Sequence, residues 1–153
     1  MLSTIGRSAR TGQYLLRTLG AATSSAPLGN AGFATAGTTD RVLEISSDKD
    51  FAAKLAEVSG SGSLMICDFT AKWCGPCRMI APVFSSLSNK YPDVKFVKID
   101  IDNGALGNTV NDHSITGVPT FVYYKGGRRV ESFSGARPDM LESLIQKHTS
   151  PAK

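Results

Sequence analysis

Two cysteines lie three positions apart in this chain, at Cys74 and Cys77, with Gly75 and Pro76 between them. A continuous apolar run precedes the pair and a helical repeat of apolar residues follows it, so both cysteines should fall in a first helical turn and on one face. At that spacing the Cα atoms are roughly 5 to 6 Å apart, a separation at which a disulfide forms without backbone movement. We therefore predict that the pair switches between a dithiol and a disulfide.

The start of a helix also changes the acidity of a cysteine. Backbone amides of the first turn have no partner within the helix and stabilise a negative charge, so we expect a lowered pKa for Cys74 at the exposed end. Cys77, one turn inside, should be more buried and less acidic. Pro76 is tolerated in the first turn and stiffens the loop between the sulfurs. The pattern thus predicts that Cys74 attacks a disulfide and that Cys77 resolves the product.

Three other uses of the cysteine pair agree less well with the sequence. A zinc site would need further ligands, but the sequence has no second C-x-x-C pair, and its two histidines, His113 and His148, are isolated. A structural disulfide is not favoured, since the total of three cysteines is odd. Two unreactive core thiols would not need Gly-Pro between them. The third cysteine, Cys67, is most simply a small buried hydrophobic residue, and we predict no metal site.

Strands and helices alternate along the domain and must hold the cysteines in place. Ser47 can cap a helix, and Lys125-Gly126-Gly127 is a tight turn between two strands. Helices between the early strands imply parallel crossovers, whereas the tight turn makes the last two strands antiparallel. We therefore predict an α/β fold with a mixed central β-sheet of about five strands and about four helices. The predicted strands are 41–45, 64–69, 94–100, 120–124 and 128–133, and the helices begin near Ser47, near Trp73, within 102–113 and near Pro138.

The first 39 residues differ in composition from the rest. They contain three arginines and eleven Ser or Thr residues but no Asp or Glu. A cationic, hydroxyl-rich segment of this kind is typical of an organelle transit peptide, whereas a secretory signal would need an uninterrupted apolar core. We predict a mitochondrial transit peptide over 1–39, removed or disordered, which directs the protein to the matrix; a plastid address and an untargeted disordered tail are the alternatives. The folded domain should then span 40–153.

Charge and hydropathy exclude two classes of partner. The 153-residue chain has 17 Lys and Arg against 13 Asp and Glu, but residues 40–153 carry 14 basic and 13 acidic residues, since three arginines lie before them. A domain with so even a balance lacks the positive charge needed to hold nucleic acid. No run approaches the roughly 20 apolar residues of a membrane-spanning helix. We therefore expect neither a nucleic-acid partner nor a membrane partner.

The cysteine pair lies within a longer characteristic stretch. Residues 69–82 read FTAKWCGPCRMIAP, Asp68 precedes them, and Gly117-Val118-Pro119-Thr120 follows later in the chain. Over residues 40–150 the sequence resembles the thioredoxin family. Its transit-like N-terminus and the segment 105–109 give it a resemblance to the plant mitochondrial, o-type branch of that family.

This resemblance implies a function for the whole domain. It indicates a monomeric protein-disulfide reductase that acts on disulfide-containing target proteins and needs no cofactor besides its own Cys74–Cys77 disulfide. An NADPH-dependent thioredoxin reductase would recharge it. Two alternatives on the same fold stay open: a disulfide isomerase or oxidase, and a docking or chaperone module without catalysis. Isomerases and oxidases usually carry a different dipeptide between the cysteines, together with a secretory address.

The resemblance also assigns residues around the cysteines. It implies a cis peptide bond before Pro119, a contact with the substrate backbone at Val118, and a small residue of the substrate groove at Gly135. An ordinary trans proline and a plain turn are the alternatives at positions 119 and 135. Trp73 would cover the redox pair.

Asp68 is an acidic residue inside an otherwise apolar strand. Burying an ionised carboxylate is costly, so the pKa of Asp68 should be raised toward neutrality. The resemblance implies that this carboxylate accepts the proton of Cys77, directly or through water, and that Lys98 lies close to it. The alternatives are a neutral structural acid at position 68 and a solvated strand lysine at position 98.

Overall fold

Five strands form one mixed sheet in the computed structural model, which describes residues 40–150. The strands are β1 (Val42–Ile45), β2 (Leu64–Thr70), β3 (Lys95–Asp100), β4 (Thr120–Lys125) and β5 (Arg128–Ser134). The helices are α1 (Asp48–Ser61), α2 (Gly75–Lys90), α3 (Gly107–Asp112) and α4 (Pro138–Thr149), and a 3-10 turn (Gly104–Leu106) precedes α3. The strand order is β1-β3-β2-β4-β5, in which β1, β3 and β2 are parallel while β4 and β5 run antiparallel to their neighbours.

The predicted fold class is confirmed, as is the predicted order of strands and helices. Each strand begins and ends within one residue of its expected position. The agreement follows from short apolar and β-branched runs that are bounded by Gly, Ser and Asp, which are poor strand formers. The parallel crossovers and the antiparallel hairpin lie where the connecting segments predicted them.

The central strand β2 is buried at all of its seven positions. It lies between β3 and β4, with helices packed over both faces of the sheet. Side chains alternate along a strand, so Leu64 and Ile66 belong to the core beneath α2 and α4, and the odd-numbered residues of β2 belong to the core beneath α1. The same alternation places Asp68 on the α2 face of the sheet.

Four residues separate the end of β2 from the start of helix α2. Its Ile80, Phe84 and Leu87 are buried against the sheet, at the 3.6-residue spacing expected from the sequence. The first turn of α2 therefore lies at the edge where the parallel strands β2 and β3 end. In open α/β sheets this edge is where functional sites form.

Two local signals recognised in the sequence are confirmed. Ser47 caps α1, since its Oγ accepts a hydrogen bond from the backbone N–H of Asp50 at 3.2 Å.

The hairpin between β4 and β5 turns at Gly126 and Gly127, whose φ angles are +54° and +76°. Residues with side chains adopt such angles rarely. A Cβ atom at Gly127 would also lie 2.7 Å from the Cβ atom of Ser59, so glycine is required there.

One predicted segment lies outside residues 40–150. The predicted transit peptide, residues 1–39, lies outside the described residues, as do residues 151–153.

Within residues 40–150, every helix is too short or too polar to span a bilayer.

Candidate active site

The cysteine pair occupies the tip of α2. Cys74 is the N-cap residue of this helix and forms a disulfide with Cys77, with their Cα atoms 5.3 Å apart. The separation agrees with the one predicted from the spacing. The backbone N–H of Cys77 donates a hydrogen bond to Sγ of Cys74 at 3.1 Å. A sulfur in this position faces the unpaired amides of the first helical turn, which favour negative charge.

The burial of the two cysteines differs from the expectation. We predicted an exposed Cys74 and a more buried Cys77, but both residues are only 3% exposed in the disulfide form. The reason is packing from distant segments, because Ala71 forms a cluster with the two cysteines and Ile101 and Val118 cover it. Cys74 therefore lies under apolar side chains rather than in open solvent.

Val118 and Pro119 lie directly beside the cysteines. The peptide bond between them is cis, as the resemblance predicted. The carbonyl oxygen of Val118 lies 3.7 Å from Sγ of Cys74. The carbonyl oxygen of Pro119 accepts a hydrogen bond from the backbone N–H of Gly135 at 2.8 Å, and Gly135 has a φ of +101°. The structure thus places Val118 beside Cys74 and joins Gly135 to Pro119, so the three predicted substrate-binding residues are connected to one another.

Asp68 lies below the cysteines on the α2 face of β2. It is 3% exposed, and its Oδ1 atom has no hydrogen-bond partner among the described residues. Burial raises the pKa of Asp68 to about 7, and the positive charge of Lys98 opposes part of that rise. The raised pKa agrees with the prediction from a lone carboxylate in an apolar strand.

A cavity joins Asp68 to Cys77. Asp68, Cys77 and Lys98 all line this cavity, which has a volume of about 290 Å³. Lys98 also lies opposite Asp68 in the register of β2 and β3, although its side chain is exposed. The arrangement gives a carboxyl group of near-neutral pKa and a buried sulfur access to the same space, through which a proton can move directly or over water.

Trp73 lies on the outer surface of the site. Its side chain is 67% exposed, which is more than expected for a residue that covers the redox pair. The indole Nε1–H donates a hydrogen bond to Oδ2 of Asp102 at 2.9 Å, so the ring is held by the segment after β3. Sequence reasoning did not find Asp102, because only the adjacency of β2 and β3 brings position 102 next to the start of α2. Pro76 and Met79 are also exposed on this side of the helix.

The third cysteine is not part of this site. Cys67 is fully buried, and burial raises the pKa of its thiol far above its usual range, with the charge of Asp68 as a smaller cause. Its side chain belongs to the core on the α1 face of the sheet, opposite to the face that carries Asp68. This agrees with the expectation of a small buried hydrophobic residue.

Comparison with known proteins identifies the family. A sequence model of the family named Thioredoxin matches residues 42–147. The chain belongs to the thioredoxin family. Thioredoxin H2 from Arabidopsis thaliana is 40% identical over 107 residues, which are 70% of this chain and 79% of that protein. Thioredoxin O1, mitochondrial, from the same plant is 38% identical over 112 residues, which are 73% of this chain and 58% of that protein.

Solved structures confirm the thioredoxin fold. The thioredoxin NaTrxh from Nicotiana alata has a TM-score of 0.68 at 38% identity, with 71% of this chain and 93% of that chain covered. Oxidised thioredoxin O2 from Arabidopsis thaliana has a TM-score of 0.64 at 36% identity, with 71% of this chain and 94% of that chain covered. Both O-type and H-type thioredoxins are therefore among the relatives, in agreement with the resemblance to the o-type branch.

Membership of the thioredoxin family defines the general chemistry of this site. Thioredoxins are thiol–disulfide oxidoreductases that react with disulfide-containing proteins and with reductases, and their redox group is a disulfide of their own chain. In this protein that group is the Cys74–Cys77 disulfide, so no separate cofactor is needed. Within residues 40–150, no cluster of three or more His, Cys, Asp or Glu side chains is arranged to hold a metal ion.

Proposed function

We propose that this protein reduces disulfide bonds in other proteins and is recharged by an NADPH-dependent thioredoxin reductase. The observation that carries the proposal is the hydrogen bond from the Cys77 backbone N–H to Sγ of Cys74 at a helix N-terminus. In the reduced protein this arrangement favours a thiolate at Cys74, and the thiolate is the form that attacks disulfides.

The first step is an attack on the target. The Cys74 thiolate attacks one sulfur of the target disulfide, an S–S bond forms between the two proteins, and the target S–S bond breaks. The second target sulfur leaves as a thiolate and takes a proton from solvent. The product of this step is a mixed disulfide that links Cys74 to the target.

The second step releases the target. The Asp68 carboxylate accepts the proton of the Cys77 thiol through their shared cavity, and the Cys77 thiolate attacks Sγ of Cys74. The bond between Cys74 and the target breaks, and the remaining target sulfur leaves as a thiolate. Two electrons have then passed to the target, and the Cys74–Cys77 disulfide has formed. A reductase returns two electrons from NADPH to restore the dithiol.

Binding of the target is assigned to the surface around the disulfide. Val118, just before the cis Pro119, presents its backbone beside Cys74, where an extended segment of the target can pair with it as a short β-strand. Gly135 has no Cβ and leaves the neighbouring groove open, while the exposed Trp73 and Pro76 add apolar contact area. Backbone pairing depends little on side chains, so we expect weak binding to many disulfide-containing proteins.

Two cysteine variants test this function. With NADPH and a thioredoxin reductase, the wild-type protein should reduce insulin disulfides, and Cys74→Ser should be inactive. Cys77→Ser should also fail to turn over, but it should accumulate a mixed disulfide with the target that mass spectrometry detects. A docking or chaperone module would retain its biological effect in both variants, and this result would contradict the proposal.

The redox potential separates a reductase from an isomerase on the same fold. Protein disulfide isomerase has a potential of about −180 mV, and the Gly-Pro dipeptide leads us to expect a clearly more negative value for this protein. A titration of the Cys74–Cys77 pair against a glutathione or dithiothreitol buffer measures it. A potential at the isomerase value would favour the isomerase alternative.

We also propose that residues 1–39 direct the protein to the mitochondrial matrix. The support is their cationic, acid-free composition and the likeness to Thioredoxin O1, mitochondrial. A fusion of these residues to a fluorescent protein should be imported into isolated mitochondria and shortened on import. Import into plastids alone, or no import, would contradict the assignment.

A further inference from the structure

Three charged residues form a row across the parallel half of the sheet. Glu44 of β1 lies opposite Lys98 of β3, and Lys98 lies opposite Asp68 of β2. Register partners in neighbouring parallel strands point to the same face, with the strands about 4.8 Å apart. All three side chains accordingly line the same cavity. The row runs from the buried Asp68 through Lys98 to the exposed Glu44.

The position of the lysine between two carboxyl groups is the central feature of this row. We propose that Glu44 is a positioning residue, which competes with Asp68 for the Lys98 ammonium and thereby sets how readily Asp68 gives up its proton. The proposal rests on the function proposed above, in which Asp68 accepts the proton of Cys77. It adds a residue of the edge strand to a site otherwise built at the start of α2.

The remaining charges around the cavity have other partners or lie on its outer side. The Asp100 carboxylate lies 3.9 Å from the Lys72 ammonium and also accepts a hydrogen bond from the backbone N–H of Asp102. Arg78 is exposed on α2. In the described part of the chain, Lys98 forms no ion pair with either carboxylate of the row, so its flexible side chain can move between them. The charged and titratable groups that line the cavity are Glu44, Asp68, Lys72, Cys77, Arg78, Lys98 and Asp100.

The competition has a definite direction. When the ammonium lies near Asp68, it stabilises the carboxylate and lowers the proton affinity of that group. When the ammonium lies near Glu44, Asp68 loses this stabilisation and keeps its proton to a higher pH. Removal of the negative charge at position 44 should therefore release Lys98 toward Asp68 and lower the pKa of Asp68.

The experiment measures the Asp68 carboxyl directly in the full-length protein. The ¹³C chemical shift of the Asp68 carboxyl carbon is followed by NMR as a function of pH in the wild type and in Glu44→Gln. We expect the midpoint in Glu44→Gln to fall by about half a pH unit, the size expected for a partly screened charge at this distance. The pH profile of insulin reduction should shift in the same direction, and Glu44→Asp should restore most of the wild-type midpoint.

A matched control removes a charge from the other face of the sheet. Glu57 of α1 pairs with Lys95 of β3 at 3.1 Å, and Lys95 lies on the face opposite to the cavity. Glu57→Gln should leave the Asp68 midpoint unchanged. An equal shift in Glu57→Gln, or no shift in Glu44→Gln, would overturn the proposal.

A second background tests whether Glu44 acts through the lysine. Lys98→Gln should raise the Asp68 midpoint, and the effect of Glu44→Gln should largely vanish in that background. The same shift with and without Lys98 would overturn the positioning role. A failure of the proton-acceptor role of Asp68 would be seen separately. In that case Asp68→Asn would leave the pH profile of insulin reduction unchanged, while the NMR midpoints would still show that Glu44 affects Asp68 through Lys98.

Discussion

Asp68 combines a cost in stability with a proposed use in catalysis. Its carboxyl is buried at the centre of the sheet without a hydrogen bond to Oδ1 from the described residues, and burial raises its pKa to about 7. The folded protein therefore holds this proton more tightly than the unfolded chain, in which the pKa of an aspartate is about 3.9. Stability contributed by the neutral form is complete below about pH 4 and is lost as the pH rises through 7.

The variant Asp68→Asn makes this cost measurable. The asparagine cannot ionise, so the variant does not lose stability as the pH rises through 7. The difference in free energy of unfolding between the variant and the wild type should therefore change in favour of the variant by on the order of 4 kcal/mol from pH 4 to pH 8. Urea denaturation of the oxidised proteins at several pH values provides the comparison. A constant difference between the two proteins across this range would show that Asp68 is not buried as a neutral acid.

At the scale of single residues, chemistry was easier to predict from the sequence than burial. The spacing of Cys74 and Cys77 fixed their disulfide geometry, and a carboxylate in an apolar strand indicated a raised pKa for Asp68. The exposure of Cys74 was predicted wrongly, because residues such as Val118, 44 positions away, cover it. Partners of this kind depend on which segments meet in the fold, which no local pattern contains.

The structural elements follow from local signals that each have a clear physical cause. Apolar runs and their Gly-rich boundaries were sufficient to place the strands, and Ser47 was sufficient to place the start of α1. The strand order β1-β3-β2-β4-β5 was not specified by these signals. For this reason the opposed pairs that bring Glu44, Lys98 and Asp68 into one row became visible only in the structure.

Two glycines in these elements should respond oppositely to alanine. Gly60 lies within α1 with open space around its Cα, so Gly60→Ala should stabilise the protein by about 0.5 to 1 kcal/mol. Gly127 has a φ of +76° and close contact with Ser59, so Gly127→Ala should destabilise it by about 2 kcal/mol or more. Chemical denaturation of both variants measures the two effects. Equal effects of the same sign would contradict the backbone argument.

On the scale of the whole molecule, His113 connects several elements beneath α1. Its ring packs against Phe51 and Phe69, and its Nδ1–H donates to the carbonyl oxygen of Thr109. The other ring nitrogen is hydrogen-bonded to the Tyr124 hydroxyl. Burial is the main cause that lowers the pKa of His113 below its ordinary value of about 6.5.

Protonation of this histidine should weaken the folded protein in mild acid. The neutral ring is favoured in the folded state, so its contribution to stability is complete above about pH 6.5 and is lost as the pH falls toward the lowered pKa. We expect the stability of the wild type relative to His113→Gln to increase between pH 5 and pH 7 in urea denaturation. The comparison with the variant removes the opposing pH dependence of Asp68, which both proteins share. A difference that is independent of pH would contradict this role of His113.

The acidity of Cys74 in the reduced protein tests the central claim most directly. The rate of alkylation of Cys74 by iodoacetamide is measured against pH in Cys77→Ser, with Cys67 protected by burial. If the amides at the start of α2 stabilise the thiolate, the midpoint lies well below the ordinary cysteine value of about 8.5, and the thiol reacts rapidly at pH 7. A midpoint at or above that value would contradict the account of this protein as a disulfide reductase.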